Sequence, residues 1–285
     1  MTKLNRREFI AASATAIGMA CVAKATADVS FAGHIRKAVK FHMVKDDNLS
    51  VEQKFELLKE LGYDGTELQT KSQDDKETYK AASEATGLPI HGVINSNNPD
   101  IRGAVDLSRY YGGTSVLVVA GRVNAEMSYD DNWNEWTQRI REAAPYAHDL
   151  GIKLLVENVW NNFLLSPLEM ARFIDEIDHA AVGVYFDVGN VVRFGWPEQW
   201  IRILGHRIGK LDIKEYSRDL QLNAGLWKGF DVEIGDGDCG WPAVRKALEE
   251  IGYQGWATAE VPGGGRERLA DIAQRMDNVL AIKAV

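Results

Sequence analysis

The chain has 285 residues, 45% hydrophobic and 26% charged, the composition of a soluble protein able to bury a large core. Its formal net charge of −8 argues against a nucleic-acid partner, which would need an excess of Lys and Arg to neutralise phosphates. A small-molecule substrate suits it better, and nothing in the middle of the chain reads as a linker between two domains.

The chain opens on a segment that does not belong to the fold. Arg6 and Arg7 in NRREFI precede the small, apolar stretch AASATAIGMACVA, and Ala25-Thr26-Ala27 offers a small-x-small cleavage site before Asp28. Residues 1–27 are expected to be a twin-arginine export signal, with a Sec signal as the alternative, and residues 28–285 a periplasmic or secreted domain. The stretch is short and rich in Ala and Thr, so no stable membrane anchor is expected. With the signal removed, Cys239 is the remaining one of two cysteines and no intramolecular disulfide can form. Stability must then come from the core, which fits a route that exports folded proteins.

Residues 38–44 (AVKFHMV) read as strand 1, and residues 51–61 as a helix capped by Ser50 and stopped by Gly62. Residues 63–69 (YDGTELQ), 89–95 (PIHGVIN) and 114–121 (TSVLVVAG) read as strands 2 to 4, and residues 133–150 as the helix after strand 4. Four further apolar runs each end on an acid: LLVEN at Glu157, VYFDVGN at Asp187, KLDIKEY at Asp212 and WATAEVP at Glu260. Each is followed by a turn and a helical pattern. Successive units of a single (β/α)8 TIM barrel, an α/β fold of about 250 residues, read in this way. Residues 217–239 show no periodicity and fall between strand 7 and its helix, where a substrate-covering loop is expected.

In such a barrel the strand ends converge on one face. One acid after a strand is ordinarily a helix cap or a solvated loop charge. Four in consecutive strand positions, each costly to desolvate unless a cation meets it, point to one shared divalent metal ion on Glu157, Asp187, Asp212 and Glu260. An all-carboxylate donor set favours Mn²⁺ or Mg²⁺, with Co²⁺ and Zn²⁺ as alternatives. Side chains two residues apart on a strand share a face. Lys214 therefore points the same way as Asp212, His91 shares a face with Asn95, and Glu67 ends strand 2. His42 reads as a site residue or a barrel-wall histidine. Asn158 and Asn190 follow the acids closely enough to bond sugar hydroxyls, and Trp160 or Trp227 could stack on a sugar face.

The segments ENVW, YFDVGN, LDIKEY and the tail GDGDCGWPAVRKALEEIGYQGWATAEV resemble the xylose-isomerase-like TIM barrel superfamily of sugar isomerases and epimerases, over nearly the whole mature chain. The resemblance implies one divalent ion held by Glu, Asp, His and Glu from successive strands. The matching positions are Glu157, Asp187, Asp212 and Glu260, with Asp212 where a His is usual. It also implies proton abstraction next to a carbonyl through an ene-diolate, Glu157 and Glu260 acting from opposite sides of the carbon; Lys214, by its strand parity, is expected as a catalytic cation, a counter-charge to the acids or a donor to a substrate oxygen. The implied activity is that of a metal-dependent sugar isomerase or epimerase. The alternative is a lyase, dehydratase or hydratase on keto-sugars, 3-keto-glycosides or keto-inositols, because the same carbanion expels a β leaving group. A non-catalytic carbohydrate-binding barrel would not need the two glutamates. Gly263-Gly264-Gly265-Arg266 is read as a turn in preference to a phosphate cradle, and a homo-oligomer is compatible with the sequence.

Overall fold

The computed structural model describes residues 30–96 and 98–282. The expected export signal lies outside the described residues. Among them, eight parallel strands close into a barrel in sequence order: β1 (Ile35–Lys40), β2 (Gly65–Gln69), β3 (Ile90–Asn95), β4 (Ser115–Val118), β5 (Lys153–Glu157), β6 (Val182–Asp187), β7 (Ile208–Ile213) and β8 (Gly255–Ala259), with β8 pairing back onto β1. An outer ring of helices follows the strands: α1 (Val51–Glu60), α2 (Lys76–Thr86), α3 (Ile101–Tyr111), α4 (Tyr129–Asp149), α5 (Pro167–Ile177), α6 (Pro197–Leu204), α8 (Trp241–Glu250) and α9 (Arg266–Leu280). The short α7 (Arg218–Ala224) and a 3-10 turn (Leu226–Phe230) occupy the β7–α8 connection. The segment expected to be a substrate-covering loop is thus partly helical; seven residues are too few to show a period. No helix among the described residues is long and apolar enough to cross a membrane.

Local chemistry sets the helix ends. The Ser50 hydroxyl accepts from the Gln53 amide while the Gln53 side chain accepts from the Ser50 amide, a reciprocal cap repeated at Ser166 and Glu169. Gly62 and Gly151 follow α1 and α4 at φ 80 and 70, where a side chain would be strained.

Most of the core lies between barrel and helices, with Phe55, Leu58, Phe173, Ile201, Leu248 and Ile272 almost wholly buried. Each such side chain contributes about 1.5–3 kcal/mol by leaving water. The lumen holds a smaller apolar wedge of Ile94, Leu117, Leu155 and Tyr185. A Cβ on Gly209 would lie 2.6 Å from the Leu155 side chain, so that glycine is the space Leu155 fills. The rest of the lumen is polar.

Two local differences from the sequence reading shape that polar interior. Strand 1 ends at Lys40, and Phe41–Met43 form a 3-10 turn that leaves His42 exposed and off the barrel wall, within electrostatic reach of Lys40 and Glu260. The pairing of β2 with β3 is irregular, Thr66 lying opposite Ile90 but Glu67 opposite Gly92. Period two fails across that irregularity: His91 reaches the lumen, whereas Asn95 donates to the Asn98 carbonyl. The glycine run after β8 is a turn, with the Gly264 amide on Met43 O and the Gly264 carbonyl accepting from Lys45.

Candidate active site

Glu157 closes β5, Asp187 closes β6, Asp212 sits near the end of β7, and Glu260 follows β8 directly. Parallel register places Asp187 opposite Asp212, and inward-pointing parity does the rest. One oxygen from each of the four carboxylates lies within 4.8 Å of the others. Asp187 and Asp212 are fully buried, Glu157 is nearly so, and Glu260 is half-buried at the edge of the cavity.

Two ammonium groups enter this cluster. Lys214 Nζ lies 3.0 Å from Asp187 Oδ2 and 2.9 Å from Glu260 Oε2. Lys40, which the sequence reading passed over, lies 2.8 Å from Asp212 Oδ2 and 3.1 Å from Glu260 Oε1. Four carboxylates against two lysines leave two negative charges in excess when all are ionised. Asp187 Oδ2, Asp212 Oδ1 and Glu260 Oε2 are buried yet accept no well-oriented hydrogen bond, although Lys214 Nζ is close enough to the first and third for ionic contact. Buried carboxylate oxygens left in this condition, with a charge deficit of two and hard oxygen donors only, fit a divalent cation.

The electrostatics separate the two glutamates. Burial, reinforced by the charges on Glu260 and Asp187, pushes Glu157 up to about 8 against the pull of the lysines. Burial also pushes Glu260 upward, but Lys214 and Lys40 outweigh it and hold that carboxyl below its ordinary range. Asp187 and Asp212 are raised, chiefly by burial. Burial would lower both lysines, but the surrounding carboxylates prevail and keep them protonated.

Asn158 and Asn190 act as braces. The Asn158 side chain donates to Asp187 O at 2.8 Å and accepts from Asp187 N at 2.8 Å, while Asn190 Nδ2 donates to Asn158 O at 3.0 Å. The Asn190 amide donates to Asp187 Oδ1 at 2.8 Å, and Trp160 Nε1 donates to Asn190 O at 2.8 Å. Asn158 thus spends its amide on the backbone; Asn190 also reaches the cavity wall. Glu215, another residue without a sequence signal, is buried and accepts from Gly235 N, Cys239 N and Trp241 Nε1, tying the loop after α7 beneath Lys214.

Glu67 and His91 lie one layer deeper and do not line the cavity. Lys210 Nζ donates to His91 Nδ1 at 2.7 Å and to His91 O at 2.8 Å, and sits 3.7 Å from Glu67 Oε1. Tyr185 donates to Glu67 Oε2 at 2.9 Å and shares a 2.9 Å hydrogen bond with Thr258, which lies 3.3 Å from His91 Nε2. The His91 ring stacks on Trp256 at 4.1 Å. Burial and Lys210 lower the His91 pKa, so the imidazole is neutral.

Above the carboxylates opens a cavity of about 740 Å³. Its lining includes Glu157, Glu260, Lys214 and Asn190 beside the cluster, the aromatic group Trp160, Trp227 and Phe230, and Arg122, Glu135 and Arg139 from the β4–α4 unit.

Residues 55–281 match the family described as the xylose isomerase-like TIM barrel. The inosose dehydratase of Clostridium botulinum is 21% identical over 231 residues, 70% of this chain and 78% of that protein. The chain spans less than half the length of several other curated relatives it matches. Among solved structures, the 3-keto-D-glucoside 4-epimerase YcjR of E. coli superposes with a TM-score of 0.70 at 16% identity, covering 87% of this chain and 99% of that one. A xylose isomerase-like TIM barrel protein of Mycobacterium smegmatis in complex with magnesium gives 0.66 at 19% identity, covering 87% and 96%. These structural likenesses show a shared fold, and the match over residues 55–281 carries the assignment: the chain belongs to the xylose isomerase-like TIM barrel family.

Proposed function

We propose that the protein is a metal-dependent enzyme that moves a proton at the carbon next to a carbonyl of a keto-sugar, as an isomerase or epimerase. One observation carries this reading: Glu157 at the end of β5 and Glu260 just after β8 both line one cavity, beside the acidic cluster and the Lys214 ammonium. Two carboxyl groups on one cavity can divide acid and base roles. Glu260, ionised between Lys40 and Lys214, takes the proton from carbon; Glu157 returns one. Return to the opposite face of the same carbon inverts it, and return to the neighbouring carbon isomerises the sugar. Lys214 presents its ammonium to the substrate oxygen that gains charge. Trp160 adds apolar surface to the cavity, and the Asn190 side chain reaches it beside Lys214.

Glu157, Asp187, Asp212 and Glu260 would hold the ion, Mn²⁺ or Mg²⁺, which supplies Lewis-acid stabilisation of the negative oxygen. Lys40 neutralises Asp212, so that this carboxylate adds an oxygen donor without adding net charge.

A second reading has specific support, since inosose dehydratases are among the relatives. With a hydroxyl or alkoxide β to the carbonyl, the carbanion left after proton removal expels it, and Glu157 is placed to protonate the departing oxygen. That reaction would be a lyase step on a keto-inositol, keto-sugar or 3-keto-glycoside.

Incubation with keto-sugars in D₂O tests both readings at their common step. Deuterium is expected at the carbon next to the carbonyl, and the product distinguishes the two; no exchange with any keto-sugar in metal-loaded protein would sink them together.

Arg6, Arg7 and the small-residue site before Asp28 support export by the twin-arginine route to the periplasm or beyond. Changing both arginines to Lys keeps the charge but removes the paired guanidinium groups, and should leave the protein in the cytoplasm on fractionation. Unchanged export would overturn the assignment.

A further inference from the structure

The wall of the cavity carries aromatic surface that a single sugar ring on the carboxylates does not use. Trp160 is enclosed: its ring lies 4.8 Å from both Trp227 and Phe230, Arg193 sits 5.0 Å over it, and its Nε1 is bound to Asn190. Trp227 is different. It stands farther along the chain on the 3-10 turn after α7, packs one side against Trp160, and is still 67% exposed. An exposed indole in the lining of a cavity is apolar surface available to a ligand bound there.

The same lining carries complementary chemistry. Glu135 and Arg139 on α4 pair at 2.7 Å, and Arg122 lies beside them in the lining. A pyranose ring, or an aryl group linked to one, has a flat face of C–H or π character and an edge of hydroxyl or ether oxygens. The flat face suits indole, and the edge suits guanidinium and carboxylate donors and acceptors. A volume of about 740 Å³ exceeds what one ring on the carboxylates fills.

We propose that Trp227, with Arg122, Glu135 and Arg139 of the same cavity lining, forms an outer subsite for a second ring, so that the substrate is a keto-sugar joined through a glycosidic bond to another ring. This rests on the reading that the sugar reacts at Glu157 and Glu260. The ring held between those residues is the one that carries the carbonyl; the ring on Trp227 supplies binding energy from a distance and enters no bond change.

Binding and reaction can be measured apart. Titration calorimetry of the metal-loaded full chain with cellobiose, maltose and phenyl β-D-glucoside, each against glucose, reads the subsite without turnover. At least one two-ring ligand is expected to bind about tenfold or more tightly than glucose, the scale of one stacked ring. The disaccharides and the phenyl glucoside distinguish a sugar from an aryl occupant. Trp227→Ala should collapse that preference, whereas Trp227→Phe, which keeps a stacking face, should retain most of it. Thermal melting of both variants should match the parent, because the side chain is largely in water. Equal affinity of glucose and all three two-ring ligands would overturn the subsite, as would an undiminished preference in Trp227→Ala. Deuterium exchange on the 3-keto derivatives of cellobiose and glucose then judges the underlying reading by itself: exchange with no two-ring preference in binding defeats only the subsite, and a preference with no exchange defeats only the chemistry.

Discussion

The barrel lumen contains two polar layers that share β6, β7 and β8, and they are finished differently. In the lower layer Glu67 faces Lys210, and His91, Thr258 and Tyr185 link the two ends of that pair through hydrogen bonds. One negative charge meets one positive charge. In the upper layer Glu157, Asp187, Asp212 and Glu260 meet only Lys40 and Lys214, and three carboxylate oxygens accept no well-oriented hydrogen bond. A charge-matched network rigidifies a barrel, even with Glu67 Oε1 short of a well-oriented hydrogen bond; an unmatched one, costly in a low-dielectric interior, persists where something else completes it. The lower layer is sealed by the strands, whereas the upper one opens on the cavity.

Breaking the lower layer should be the most damaging change. Lys210→Met leaves Glu67 buried without its ammonium and is expected to cost about 3–5 kcal/mol, read by denaturant unfolding, because an uncompensated buried charge remains. Metal content should persist in the folded fraction. A cost below about 1 kcal/mol would mean that the lower layer is not held by its ion pair.

Glu157→Gln and Glu260→Gln act on the upper layer alone. Each should fold, and each should lose at least about a hundredfold in turnover, close to 2.7 kcal/mol in barrier height, since the amide keeps the shape but neither takes nor gives the proton. Metal content measured on the same samples separates lost chemistry from a lost ligand. Full turnover in a metal-replete variant would remove that glutamate from the acid–base pair.

Completing the upper layer should stabilise the fold by mass action. Free Mn²⁺ or Mg²⁺ at a hundredfold excess over Kd adds about 2.7 kcal/mol, and a chelator should reverse this as a fall of several degrees in Tm. Melting curves insensitive to Mn²⁺, Mg²⁺, Co²⁺ and Zn²⁺, with no metal by elemental analysis, would remove the distinction between the layers.

The smallest effect concerns the loop behind Lys214. Burial, aided by the nearby Glu215 charge, pushes the Cys239 thiol well above its usual value, and its Sγ lies 3.4 Å from Lys214 O. In a chain beginning at Asp28 it should stay unreactive toward a thiol reagent at pH 8 until the protein unfolds, because the thiolate is the reacting form. Rapid native-state labelling would show that the support of the upper layer opens more readily than its hydrogen bonds suggest.

Much of this architecture is readable from residue order alone, because it follows from local rules. Apolar runs of strand length alternating with helical patterns, and glycines such as Gly62 and Gly151 after helices, specify a β/α barrel without any knowledge of contacts. An acid at the close of each of four late strands is equally local, and so is the parity that aims Lys214 with Asp212. Convergence itself is not. AVKFHMV reads as one unbroken strand, yet the chain leaves the barrel after Lys40 because Met43 and Lys45 pair with Gly264, a partner more than two hundred residues away, and this places the Lys40 ammonium among the acids. Glu67 and His91 have the right residue types for a site, but Lys210, Tyr185 and Thr258, all from distant strands, bind Glu67 Oε2 and both His91 ring nitrogens. Periodicity is a property of neighbours in sequence. Whether a buried charge is matched or left open depends on every group that desolvates it, and only closing the barrel brings those groups together.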